Sequence, residues 1–132
     1  MDNEIEARKI DKPHILIIDD EADFLFAIEA WMLSKGFTVS TAPDGRAGFE
    51  KFKEVRPDLV FIDILMPEMD GVDTLKEIRK IDEKVPVILI TAFGVNKRIE
   101  EAEKYNVFGF FRKSQDFEHA ATLICDAISD LK

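Results

Sequence analysis

From residue 14 onward, short runs of aliphatic and β-branched residues alternate with longer amphipathic stretches. Ile15 to Ile18, Leu59 to Ile62, Val87 to Ile90 and Val107 to Phe111 are almost wholly apolar, and runs of that length bounded by turn signals read as buried strands. With the segment 37–42 they predict five strands, near 14–19, 37–42, 58–63, 86–91 and 107–111. Five helices fit between and after them. The first begins behind Asp19 and Asp20, where Asp20 or Glu21 can cap free amides, and ends before Gly36. The second starts at Asp44-Gly45 and stops before Pro57, and the third runs from Gly71 towards Asp82. The fourth, about 95–104, has only Val95, Ile99 and Ala102 as a thin apolar stripe and is weakly anchored. The last, from about Asp116, sets Phe117, Ala120, Ala121, Ile124, Ile128 and Leu131 on one face. Such alternation favours a parallel sheet covered on both faces, because parallel neighbours need crossover connections. The expected class is α/β, a doubly wound five-stranded sheet. Residues 1–12 carry no sustained period and read as a flexible lead-in, leaving 13–132 as one domain.

Composition narrows the setting. At 132 residues one core suffices, burying roughly 68 % of the surface the unfolded chain exposes, with no structural disulfide or metal required. The single Cys125 has no internal partner and sits beside Ile124 as a packing residue, so a reducing, cytoplasmic location is expected. No apolar stretch approaches the ~18 residues of a membrane span. A net charge of -9 without a basic cluster argues against direct nucleic-acid binding.

The candidate chemistry lies where the apolar runs stop. The first ends in Asp19 and Asp20, the third in Asp63, the fourth in Thr91, and the last reaches Lys113. In an open parallel sheet these ends share the edge where ligands bind. Two carboxylates about 5 Å apart repel by roughly 3 kcal/mol at an effective dielectric near 20, which a divalent cation relieves. Oxygen-only donors, with no His or Cys in these segments, suit Mg²⁺. Metal and ammonium together match a phosphoryl group. Thr91 can donate to it, and an oxygen of Asp63 can attack phosphorus to give an acyl phosphate.

Four motifs then carry a resemblance. They are ILIIDDEADF from Ile15, DLVFIDILMPEMDG from Asp58, VPVILITAFG from Val85 and FGFFRKSQDF from Phe108, and in this order and spacing the chain resembles the receiver domains of two-component response regulators, from His14 to the C-terminus. The resemblance implies a flavodoxin-like (β/α)5 fold with strand order 2-1-3-4-5, resembling single-domain chemotaxis regulators. It implies that Asp63 accepts the phosphoryl group, that Asp19, Asp20, Asp63 and the backbone carbonyl of Leu65 hold Mg²⁺, and that Thr91 and Lys113 bind phosphoryl oxygens. Phe110, three positions before the lysine, takes the aromatic switch position coupled to Thr91. The implied donor is a histidine kinase or histidine phosphotransfer protein. A downstream protein partner would read the face of the fourth helix, last strand and last helix, with the chain a monomer or a phosphorylation-dependent dimer. Such a chain is a regulatory phosphoacceptor that takes part in its own phosphorylation and dephosphorylation, not an enzyme acting on others.

Plainer readings stand beside these roles. Asp19 and Asp20 can cap a helix, Phe110 can be one core ring among eleven phenylalanines, and the mixed charges from Lys97 to Lys104 can be a solvated helix face. Two departures from the family pattern also matter. Ser114 stands where proline commonly follows the lysine, so that peptide is either trans or a strained cis. Leu65 and Phe93 border the expected path of hydrolytic water and are bulky and apolar, which predicts slow self-dephosphorylation. The alternative function is a Mg²⁺-dependent aspartyl-phosphate phosphohydrolase, which wants an acid two residues after the nucleophile, where this chain has Leu65. A flavin module would want a phosphate-cradling loop in place of Asp20-Glu21. The sequence fits a stand-alone regulator and a receiver from a longer protein equally.

Overall fold

The computed structural model describes residues 12–92 and 97–130. The strands are β1 (His14–Ile18), β2 (Thr38–Ala42), β3 (Leu59–Asp63), β4 (Val87–Thr91) and β5 (Gly109–Arg112), and the helices are α1 (Ala22–Ser34), α2 (Gly45–Val55), α3 (Gly71–Ile81), α4 (Lys97–Glu103) and α5 (Phe117–Asp130). All four strand pairings are parallel, in the order β2-β1-β3-β4-β5, as the resemblance implies. β1 and β3 lie side by side although β2 separates them in sequence, so the direction of winding reverses there and opens a crevice at the strands' carboxyl ends.

Side-chain alternation sorts the core into two layers. Leu16, Ile18, Val60, Ile62, Val87 and Leu89 meet Phe52, Leu75, Ile78 and Ala102 beneath α2, α3 and α4. Ile15, Ile17, Leu59, Phe61, Ile88, Ile90 and Phe111 meet Ile28, Met32, Ala120 and Ile124 beneath α1 and α5. β3 and β4 are buried along their whole length, which explains why they read as continuous apolar runs and not as alternating ones.

Most helix boundaries follow the expected signals. Asp44 caps α2, accepting from the Ala47 amide at 2.7 Å, Asp70 and Asp73 form a reciprocal capping box at α3, and Gly36 closes α1 with φ 95°. Two details differ, at Glu21 and at Cys125. Glu21 is the N-cap residue of α1 but its side chain makes no cap bond; the Glu21 amide donates to Asp19 Oδ1 at 2.8 Å instead. Of α4 the described part is Lys97–Glu103; Val95, like Phe93 and Leu131, lies outside the described residues, as does the lead-in through residue 11. Cys125 is exposed, not packed. No helix among the described residues is long and apolar enough to cross a membrane.

Candidate functional site

Four strands deliver the site. Asp19 follows β1, Asp63 ends β3, Thr91 ends β4, and Lys113 follows β5. Asp19, Asp63 and Lys113 continue the alternation of Ile17, Phe61 and Phe111, so they belong to the α1/α5 side of the sheet. Thr91 continues that of Leu89 and faces the side of α4. All three strand-end groups are withdrawn from water: Asp19 is fully buried, Asp63 is 4 % exposed and Thr91 7 %.

One oxygen from each of Asp19, Asp20 and Asp63 lies within 4.8 Å of the others, forming an acidic pocket able to hold a metal ion. Asp19 Oδ2 is buried without a hydrogen bond. It lies 3.0 Å from Lys113 Nζ, but the ammonium's aligned hydrogen bond goes to Asp19 Oδ1 at 3.1 Å. A fully buried carboxylate oxygen with an ion pair but no aligned hydrogen bond is still under-satisfied, and it fits the hard oxygen donor set of a divalent cation. Leu65 turns its side chain outward at 55 % exposure and donates its amide to Asp63 Oδ1 at 3.2 Å, fixing the loop beside the pocket.

The electrostatics are those of crowded carboxylates. Burial, then the neighbouring Asp19 charge, pushes the Asp63 carboxyl up to about 7, and burial likewise raises Asp19. Burial alone would lower the Lys113 ammonium, but hydrogen bonds to Glu21 and Asp19 outweigh it and hold the group above its ordinary value. Lys113 Nζ reaches Asp63 Oδ2 at 3.4 Å, contacts Glu21 Oε1 and sits 4.9 Å from the centre of the Phe24 ring. The Lys113–Ser114 peptide is trans. Its turn is held by the Gln115 side chain accepting from the Arg112 amide at 2.9 Å and by the Lys113 amide donating to the Thr91 carbonyl at 2.9 Å.

Phe110 is half-buried against the α2–α4 layer and pairs with Leu89 across the sheet, on the same side as Thr91. Sequence reading missed Glu21 and Phe24 as partners of the lysine. The only signal was Glu21 as a third consecutive acid, because the lysine lies 92 positions away.

Residues 15–124 match the family model of the response regulator receiver domain. The chain belongs to this family. Among its relatives this receiver domain is 39 % identical over 100 residues to the chemotaxis protein CheY of Thermotoga maritima, covering 75 % of this chain and 83 % of that one. It is 34 % identical over 114 residues to the regulatory protein AtoC of Escherichia coli, covering 86 % of this chain but only 25 % of that longer protein. The crystal structure of a response regulator receiver domain protein from Clostridium thermocellum superposes with a TM-score of 0.84 at 32 % identity, covering 89 % of this chain and 95 % of that one.

Proposed function

We propose that this receiver domain is a phosphoacceptor in which Asp63 takes a phosphoryl group from a histidine kinase or histidine phosphotransfer protein. One observation carries the reading. The buried Asp63 carboxylate faces Lys113 Nζ at 3.4 Å within a three-carboxylate pocket. An ionised Asp63 oxygen attacks phosphorus, the P–N bond of the phosphohistidine breaks, and its electron pair leaves on the imidazole nitrogen. The product is an acyl phosphate. The attacking oxygen is that of the ionised carboxylate, so no proton moves in the step itself, and the Lys113 ammonium beside it favours that ionised form. Lys113 and the Thr91 hydroxyl bind the phosphoryl oxygens and offset their charge.

Asp19, Asp20, Asp63 and the Leu65 carbonyl would hold Mg²⁺, which when bound neutralises charge on the transferring group and on the crowded carboxylates. Thr91 and Phe110 share one side of the sheet, so a threonine drawn towards the phosphoryl group leaves room for the ring to follow. The affected surface is that of α4, β5 and α5, where a downstream protein would bind. Residues 13–132 act as one regulatory unit of cytoplasmic signalling, as a monomer or a dimer formed on phosphorylation. The apolar Leu65 beside Asp63 offers nothing to orient hydrolytic water, so the group is retained.

Incubation with phosphoramidate and Mg²⁺ tests this. The expected result is a single hydroxylamine-labile adduct without sustained turnover of p-nitrophenyl phosphate. Continuous release of nitrophenol would favour the phosphohydrolase instead.

A further inference from the structure

Two charges of α4, Arg98 and Glu101, are tied to α3 and to the loop that leaves Asp63, while Lys97, Glu100 and Glu103 are exposed. Arg98 lays its guanidinium fork across the Asp70 carboxylate, Nε to Oδ2 at 2.9 Å and Nη2 to Oδ1 at 2.8 Å. It also reaches Asp73 Oδ1 at 3.1 Å and pairs with Glu101. Glu101 in turn accepts from Lys76 at 3.0 Å, so two struts join α4 to α3. The fork is partly shielded, with the Arg98 and Asp70 side chains 33 % and 23 % exposed.

Asp70 is a structural anchor in its own right. It caps α3, accepting the Asp73 amide at 2.9 Å, and it ends the loop from Asp63, which the Gly71 amide closes onto the Ile64 carbonyl at 3.0 Å. Among the described residues of α4, Lys97–Glu103, by contrast, Ala102 is buried and Ile99 half-buried as contacts with the core. For so lightly packed an element, a bidentate charge-assisted pair is a large share of what fixes its position.

Resting on the reading of Asp63 as the acceptor, we propose that Arg98 is a regulatory latch, tying α4 to the capped start of α3 through Asp70 and Asp73 and setting how readily α4 moves when Asp63 is loaded. Displacing α4 from α3 breaks the fork. A ligand shifts such an equilibrium only by its differential affinity for the two arrangements, so part of the free energy of phosphoryl binding is spent opening the latch. Removing the fork therefore raises the apparent affinity for a phosphoryl mimic by the factor that it raises the released population.

The test compares the whole chain with Arg98→Gln and Arg98→Lys. Beryllofluoride and Mg²⁺ are titrated by NMR, and α4 amide hydrogen exchange is measured without ligand. Arg98→Gln should bind beryllofluoride about fivefold more tightly and exchange its α4 amides about fivefold faster, with β1 and β3 unchanged, as expected for loss of one charge-assisted fork. Arg98→Lys, which keeps the charge without the fork, should fall between. Equal or weaker beryllofluoride affinity in Arg98→Gln overturns the latch, and so does wild-type exchange on its α4. If neither chain binds beryllofluoride, the reading of Asp63 fails, while the exchange rates still decide for or against the latch.

Discussion

At Asp63 the cost of burial becomes measurable. The folded carboxyl titrates near 7, above its unfolded value near 3.9, so between those values the folded chain keeps a proton that the unfolded chain has lost. The sign follows from linkage: this carboxyl's contribution to stability is fully present below about pH 4 and is lost as pH rises through 7. In chelator, Asp63→Asn should gain about 2 kcal/mol over the parent at pH 7.5 in urea unfolding, less at pH 4.5. A variant no more stable at pH 7.5 would contradict the strain assigned to this cluster. Gly71 is constrained differently. A Cβ there would overlap the Asp63 carbonyl oxygen and lie 2.8 Å from the Ile64 Cα, so Gly71→Ala should lose about 1–3 kcal/mol, read from its urea midpoint.

Among the elements, α3 is the one best defined by its own sequence, since Asp70, Gly71 and Asp73 cap and start it. Burial works to raise the Asp70 carboxyl, but the Arg98 fork and the Asp73 amide outweigh it and hold it below its ordinary value. A depressed carboxyl contributes stability that is present above about pH 4 and lost as pH falls through its folded value. Asp70→Ala should therefore cost about 1–2 kcal/mol at pH 7, through cap and ion pair together. The gap should narrow in acid, and a gap constant down to pH 3 would separate the loss from ionisation. α4 is the opposite case. Its thin stripe was legible, but Arg98 and Glu101 looked solvated because their partners Asp70 and Lys76 stand 28 and 25 positions away, a distance closed only by the packing of α4 against α3.

Over the whole molecule, the parallel sheet was legible because β1, β3 and β4 are buried on both faces and so are written as unbroken aliphatic runs. The positions of Asp19, Asp63 and Thr91 were legible for the same reason, each being where such a run stops, and Lys113 lies two residues past the end of the run in β5. What holds the lysine was not. Glu21 is the N-cap residue of α1 and Phe24 lies in its first turn, and their approach to Lys113 depends on β1 and β5 standing on either side of β3 and β4. With a net charge of -9 and three carboxylates in one pocket, Mg²⁺ should raise the thermal midpoint by mass action, and chelator should reverse the gain. A midpoint indifferent to Mg²⁺ would count against the metal site. The most direct measurement is intact mass after incubation with acetyl phosphate and Mg²⁺, for the parent and for Asp63→Asn. One phosphoryl adduct is expected on the parent and none on the variant; an adduct of equal yield on Asp63→Asn would contradict Asp63 as the acceptor.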